Sequence, residues 1–238
     1  MNTIFFSKPI ATTQNQPFLW KKLRLCLLFL LISPFLFLIG CKRTIDYTNY
    51  LSEQRKNVLI YSGENYHVCV YDVEKEYPFV ADGYVATLTH RTELFISAPA
   101  DTTRCNVKFT VGNHTHAGEA SFDSVKREYY FSCNEDVSDL SRLTVHLDFG
   151  ESTYTIETVS VRTPQTISVK QAILSVVNES NELFTRMIEK NMFLGEIYVR
   201  LLYEDAPYYY VGVVNRSGNI TAFLLDAETG KILARRDP

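Results

Sequence analysis

The stretch Leu143-Thr144-Val145-His146-Leu147-Asp148-Phe149 decides the fold class of this chain. Its apolar side chains recur at every second position, which is the period of a β-strand with one buried face. Residues 107–111 show the same alternation of apolar and polar side chains. We therefore expect a mainly β protein built from antiparallel strands.

Six further segments have the composition or alternation of strands. They are residues 57–61, 65–73, 83–89, 93–97, 127–133 and 152–162. In the last segment the apolar phase changes between Ile156 and Val159, which predicts a bulge near Glu157 or Thr158. About eight short strands without a helical window predict an antiparallel β-sandwich over residues 57–163, with immunoglobulin-like topology as the first choice.

The period of the sequence changes after residues 162–164. Ser168 and Gln171 fit a capping box, and the apolar residues behind them have the spacing of an amphipathic helix that is interrupted at residues 178–181. Strand patterns return at 195–204, 207–215 and 219–226, and a last short strand follows the turn at 228–230. Residues 164–238 are therefore predicted to form a small α+β domain, with one helix on a three- or four-stranded antiparallel sheet.

The N-terminal segment has the order of a secretory signal. Cations at residues 21, 22 and 24 precede an apolar run at residues 25–39, and Gly40 comes directly before Cys41. As a helix the apolar run would span about 22 Å, which is less than the roughly 30 Å hydrocarbon core of a bilayer. We interpret residues 1–40 as an export signal and residues 41–56 as a tether, with an uncleaved signal anchor as the alternative.

The four residues Leu38-Ile39-Gly40-Cys41 resemble the lipobox of bacterial lipoproteins. The resemblance implies that Cys41 receives a diacylglyceryl group and becomes the first residue of the mature protein. Two or three acyl chains are enough for stable anchoring. The resemblance thus predicts a lipid-anchored protein on the extracytoplasmic face of the cell membrane.

A second resemblance covers roughly residues 168–236. Residues 208–233 end in Asp226-Ala227-Glu228-Thr229-Gly230 and an aliphatic residue, Ile232, and they resemble the closing half of a PepSY-type domain. The predicted helix and the strand at 195–204 have the order found in that family. The resemblance implies modulation or inhibition of a peptidase, or ligand binding at the cell envelope. An unrelated α+β sheet, such as a cystatin-like one, is the alternative.

Charge and cysteine content narrow the class of protein. From Cys41 onward 20 Lys and Arg stand against 27 Asp and Glu, a net charge of about −7, which offers no electrostatic surface for nucleic acid. Cys69, Cys105 and Cys133 lack the spacing of a zinc site. We expect buried thiols, with one Cys69–Cys133 disulfide as the alternative.

The sequence predicts no catalytic residues, no metal site and no cofactor. It has none of the usual motifs of serine hydrolases, zinc proteases or phosphate-binding loops. His114 and His116 lie close to Glu119, but no further ligand is nearby, so a solvated loop is expected there. We therefore expect a protein that is not an enzyme.

Tyr208, Tyr209 and Tyr210 are the candidate binding surface, because tyrosine offers a large contact area at a low entropic cost. Packing of about half of these rings under the helix is the alternative. The expected function is binding of a ligand or protein partner, with modulation of a peptidase included. An accessory subunit that docks a partner of an envelope complex through the sandwich is a second hypothesis. A signal-anchored surface glycoprotein, with glycans at Asn113 or Asn215, is a third.

Overall fold

The computed structural model describes residues 45–64, 66–77, 84–99 and 101–238. Ile45–Pro238 is one compact unit. The predicted export signal, the lipobox with Cys41, and the first residues of the predicted tether lie outside the described residues. Most described residues that have regular structure lie in strands, and the strand pairs are antiparallel with one exception. The prediction of a mainly β, antiparallel fold is confirmed.

The elements follow one another along the chain after a 3₁₀ turn at Tyr47–Tyr50. The strands are β1 (Leu51–Ser62), β2 (His67–Glu76), β3 (Leu88–Ser97), β4 (Asn106–Val111), β5 (His114–Glu119), β6 (Ser121–Asp123), β7 (Glu128–Cys133), β8 (Arg142–Asp148), β9 (Thr153–Ser160), β10 (Ile188–Glu189), β11 (Met192–Phe193), β12 (Gly195–Tyr203), β13 (Pro207–Asn215), β14 (Ile220–Asp226) and β15 (Ile232–Arg236). The helices are α1 (Val169–Glu179) and α2 (Asn181–Arg186). Neither of these described helices has the length and apolar character that crossing a bilayer requires.

One hydrogen-bonded sheet of 13 strands contains all the described strands except the β10–β11 hairpin. Its main order is β15-β14-β13-β12-β1-β2-β3-β7-β6, and a branch runs from β1 through β9 and β8 to β4 and β5. Strand β2 pairs along one edge of β1. On the other edge β1 pairs first with β12 and then, at Leu59 and Ile60, with β9.

The prediction of a tether over residues 41–56 is wrong for residues 51–56, which form the first half of β1. Leu51, Ser52 and Glu53 are buried, and residues 51–55 pair in parallel with β12. The register shifts after Leu51 and again after Gln54. Because bulges of this kind interrupt the alternation of faces, the segment has no apolar period that a sequence pattern would reveal.

Two hydrophobic cores lie on the two faces of β1, since Val58 belongs to one core and its neighbour Leu59 to the other. The helix core packs α1 against β12, β13 and β14, with Ile173 and Val176 fully or almost fully buried. The strand core is enclosed by β1, β2, β3, β4, β7, β8 and β9.

Several local predictions for residues 164–238 are confirmed. The Ser168 hydroxyl accepts a hydrogen bond from the Gln171 N–H (3.2 Å), and the Gln171 side chain accepts one from the Ser168 N–H (2.8 Å), which completes the capping box. The helical region is interrupted between Glu179 and Asn181. The strands at 195–203, 207–215, 220–226 and 232–236 follow in the expected order.

Three strand predictions need correction. Residues 88–97 form one strand rather than two, and residues 114–119 form β5 rather than a loop. Strand β9 pairs with β8 without a register shift, so the predicted bulge is absent from this described pair. Thr158 is buried and donates to the Leu143 carbonyl (3.0 Å), so a polar residue continues the inward face where an apolar one was expected.

All three described cysteines are free thiols. Cys105 is completely buried in the strand core, and burial raises its pKa to about 12. Burial also raises the pKa of Cys133 to about 11. The expectation of a buried thiol is confirmed for Cys105, whereas Cys69 and Cys133 are only partly buried and are not bonded to each other.

Leu59→Ala is expected to lower the free energy of unfolding by about 2–5 kcal/mol, because the side chain is removed from a fully packed position in the strand core. Leu233→Ala on β15 is the matched control, since Leu233 is 48% exposed and its truncation should cost less than about 0.5 kcal/mol. Urea unfolding followed by circular dichroism measures both values. Equal costs for the two substitutions would contradict the position of β1 between the two cores.

Candidate functional site

A histidine–carboxylate cluster, formed by Asp72, Glu74, His90 and Asp136, lies where β2 pairs with β3. Glu74 is directly opposite His90 in this pair, and Asp72 lies two residues away on the same face of β2. The Nε2 atom of His90 lies 2.7 Å from Asp72 Oδ1 and 3.4 Å from Asp136 Oδ1. Its Nδ1 atom lies 3.5 Å from Glu74 Oε1. Three carboxylates therefore surround one imidazole.

Asp72 is the most buried member of the cluster. Its side chain is 0% exposed, and its Oδ2 atom has no hydrogen-bond partner among the described residues. Burial raises the pKa of Asp72, and the hydrogen bond with His90 opposes this effect. A buried carboxylate with an unsatisfied oxygen is costly, so the position favours a cation as its neighbour.

Two residues of β1 hold Glu74 beside His90. Lys56 Nζ forms an ion pair with Glu74 Oε1, and Gln54 Nε2 donates to Glu74 Oε2 (2.8 Å). Burial by itself would raise the pKa of Glu74, but the hydrogen bonds from Lys56 and Gln54 outweigh it and lower the pKa. Glu74 therefore stays ionised at neutral pH.

Asp136 is fixed by the residues around it. The Ser138 N–H donates to Asp136 Oδ1 (2.8 Å), and Thr92 Oγ1 of β3 donates to the carbonyl of Glu135 (2.7 Å). Burial alone would raise the pKa of Asp136, but the hydrogen bonds from Ser138 outweigh it and lower the pKa. The side chain of Asp136 is 60% exposed, so the cluster opens to solvent on this side.

The neighbouring carboxylate, Glu135, binds two further histidines. Its Oε2 atom lies 3.1 Å from His114 Nδ1 and 2.9 Å from His116 Nε2. Hydrogen bonds with His116 and His114 lower the pKa of Glu135. The expected solvated loop beside Glu119 is thus replaced by a strand, β5, whose two histidines meet a residue that is distant in sequence.

A second feature begins on β12 and β13. The rings of Tyr198 and Tyr210 stack with their centres 5.8 Å apart. Arg200 places its guanidinium 4.8 Å from the centre of the Tyr198 ring and binds both oxygens of Glu53 (2.7 and 2.6 Å). This ion pair joins the pair of tyrosines to β1.

The same arrangement continues on β1, β2 and β3. The guanidinium of Arg55 lies 3.9 Å from the centre of the Tyr71 ring, whose centre is 5.6 Å from that of Phe95. Lys126 lies 5.1 Å above the Phe95 ring. We call the residues of this feature the arginine–aromatic row: Arg55, Tyr71, Phe95, Tyr198, Arg200 and Tyr210. Contacts between cations and ring faces of this kind stabilise the row.

The three predicted surface tyrosines lie in different environments. Tyr209 is 2% exposed in the helix core, and its hydroxyl donates to the Ile167 carbonyl (2.9 Å). Tyr209 therefore cannot form part of a surface. Tyr210 points to the other face and stacks on Tyr198, whose ring occupies the space that a Cβ on Gly212 would need, 2.2 Å away. Tyr208 is partly exposed.

An open cleft of about 460 Å³ lies at the β2–β3 end of the row. Its lining includes Arg55, Tyr71, Phe95 and Lys126. Arginine and tyrosine are enriched among the residues that dominate binding energy in protein interfaces. The cleft therefore has the composition of a binding surface, and its residues were not among those predicted from the sequence.

In the part of the chain that the structure describes, two hydroxyl–imidazole contacts come nearest to a nucleophile beside a base. Ser62 Oγ lies 2.8 Å from His67 Nδ1, and Thr155 Oγ1 lies 2.9 Å from His146 Nδ1. Both pairs are exposed on the sheet, and among the described residues neither imidazole has a carboxylate to orient it. That this chain is not an enzyme remains a prediction.

Comparisons with family models, with curated proteins and with solved structures find no match to this chain.

Glu135→Gln is expected to lower the free energy of unfolding at pH 6 but to have much less effect at pH 3. The lowered pKa means that ionised Glu135 stabilises the fold above the ordinary glutamate pKa of about 4.3, and that this contribution is lost as the pH falls further. Denaturant unfolding at both pH values measures the difference, with Glu119→Gln, at an exposed position at the end of β5, as the control. An effect of Glu135→Gln that is independent of pH would contradict this role.

Proposed function

We propose that this chain is a lipid-anchored, non-enzymatic protein of the bacterial cell envelope that binds a ligand or a protein partner outside the cytoplasm. The lipobox Leu38-Ile39-Gly40-Cys41 is the observation that carries the anchor. The arginine–aromatic row and its cleft support a binding function, because they combine cations with partly exposed rings.

The proposed anchor places the folded body close to the membrane. Ile45 already packs against the helix core, only four residues after Cys41. Four residues span at most about 14 Å when fully extended. A protein acylated at Cys41 would therefore rest near the bilayer surface, and a partner would meet it there.

The proposal also includes the type of each domain and a peptidase as the partner. The immunoglobulin-like sandwich is supported by the strand core, and the PepSY-like domain by the order of helix and strands after residue 164. The Asp226-Ala227-Glu228-Thr229-Gly230 stretch forms a turn in which Asp226 Oδ1 accepts from the N–H groups of Glu228 and Thr229. If residues 164–238 form a PepSY-like domain, the partner is a peptidase, and this chain modulates its activity.

An accessory subunit of an envelope complex is the second candidate function. The cleft lies on β2 and β3, within the predicted sandwich, which favours docking of a protein through that part of the chain. A stable stoichiometric partner recovered from membranes would favour this candidate, whereas a transient peptidase partner would favour modulation.

Cys41→Ala is expected to abolish labelling by a fatty-acid analogue and to leave an unprocessed precursor, because the thiol is the proposed acceptor of the lipid. Metabolic labelling of bacterial cells, followed by mass spectrometry of the N-terminus, measures both effects. Cys26→Ala is the control for acylation at the other N-terminal cysteine, and it should leave labelling intact. Undiminished labelling of the Cys41→Ala variant would contradict the proposal that the chain is a lipoprotein.

Lys126→Glu is expected to reduce the amount of partner that is cross-linked to the protein in membranes, because it reverses a charge at the cleft beside Phe95. Lys108→Glu is the matched control, since Lys108 is also exposed but lies on β4, away from the cleft. Quantitative mass spectrometry of the cross-linked material compares the two variants. Equal recovery from both would argue against binding at the cleft.

A further inference from the structure

We infer that Asp72, His90 and Asp136 bind a divalent transition-metal ion of the zinc class, with Glu74 orienting the imidazole of His90. One nitrogen and two carboxylate oxygens, contributed by β2, β3 and the segment after β7, lie within 4.8 Å of one another. This donor set suits zinc and its neighbours, whereas calcium and magnesium prefer oxygen ligands alone.

The geometry around His90 Nε2 favours a metal over a proton. Two carboxylates converge on this one nitrogen, at 2.7 Å and 3.4 Å. A single N–H can point well at only one of them, whereas a metal ion in its place can bind both. Two ligands on a tetrahedral ion at about 2.1 Å lie about 3.4 Å from each other. The distance between His90 Nε2 and Asp136 Oδ1 already has this value, and Asp72 would move outward from His90 to reach it.

Asp72 supplies the second, independent observation. Its side chain is completely buried, and its Oδ2 atom has no partner among the described residues. This oxygen is free to bind an ion, and it belongs to the carboxylate whose Oδ1 atom already contacts His90. A bound ion would remove the cost of leaving this oxygen unsatisfied.

Glu74 has the position of a supporting residue. Its Oε1 atom lies 3.5 Å from His90 Nδ1, on the side of the ring away from the two aspartates. Histidines that bind metals usually direct their other ring nitrogen at a carboxylate, which fixes the tautomer and the orientation of the ring. Lys56 and Gln54 in turn hold Glu74.

The charges of the site also fit a divalent ion. With a neutral imidazole, Asp72, Glu74 and Asp136 together with Lys56 leave two uncompensated negative charges. Exposure of Asp136 and partial exposure of His90 provide a path for the ion and room for a water ligand. Sites with three protein ligands and an open position are common for zinc. This inference is independent of the proposed function.

The test uses the full chain purified in detergent, stripped of metal by a chelator and titrated with ZnCl₂ in a calorimeter, with CaCl₂ as the comparison. The expected result is one saturable zinc site per chain, much weaker calcium binding, and a rise in melting temperature with zinc. Cobalt substituted for zinc should give the visible absorption spectrum of a tetrahedral site. No saturable zinc binding would overturn the inference.

Variants locate the ion. His90→Gln should abolish the site and Asp136→Asn should weaken binding at least about tenfold, while Glu74→Gln should weaken it about 10–100-fold as expected for a supporting carboxylate. His146→Gln, an exposed histidine on β8, is the control and should change nothing.

Asp136→Asn keeps the test valid if His90→Gln fails to fold, because Asp136 is 60% exposed and its replacement is nearly isosteric. Circular dichroism checks the fold of each variant. Loss of zinc binding in His116→Gln, with binding retained in His90→Gln, would place the ion at Glu135 and overturn the assignment. Zinc affinity unchanged in Asp136→Asn would also overturn it.

Discussion

Strand β1 forms backbone hydrogen bonds with different strands along its length, and the rest of the structure depends on this change of partner. Its first residues pair with β12 and its later ones with β9, and the change falls between Arg55 and Leu59, beside the irregularity that its pairing with β2 shows between Gln54 and Asn57. Asn57 is buried there with its side chain satisfied: its Nδ2 donates to two carbonyls of the segment after β7, and its Oδ1 accepts from Ser160. A single polar side chain thus joins β1 to the segment after β7 and to the end of β9 at this position.

The same strand supports both functional features. Through Lys56 and Gln54 it holds Glu74 of the histidine–carboxylate cluster, and through Arg55 it contributes to the arginine–aromatic row. Successive residues of β1 thus serve different sites, because neighbouring side chains on a strand point to opposite faces. Movement of β1 would therefore affect both sites together.

Local patterns predicted the elements whose burial follows a simple period. Helix α1 with its capping box and strands β8, β12, β13 and β14 are of this kind. The first half of β1 was missed because its polar residues are buried against distant partners: Arg200 lies 147 residues from Glu53, and Glu74 lies 20 residues from Gln54. The histidine–carboxylate cluster could not be predicted either, because its members are distant in sequence. Pairing of β2 with β3 and the return of the chain after β7 bring them together. Strand β5 has too few apolar residues to show a period.

The parallel pair of β1 and β12 has a consequence for the way this chain is made. Leu51 pairs with Ile197, so the first half of β1 is synthesised long before its partner strand exists. During that interval it is an open edge, which is the kind of surface that joins the strands of other chains. Glu53, Arg55 and Lys56 place charges along this edge, and charged edges resist such joining. The charged residues of the first half of β1 would thus protect this edge from aggregation until β12 is available to pair with it.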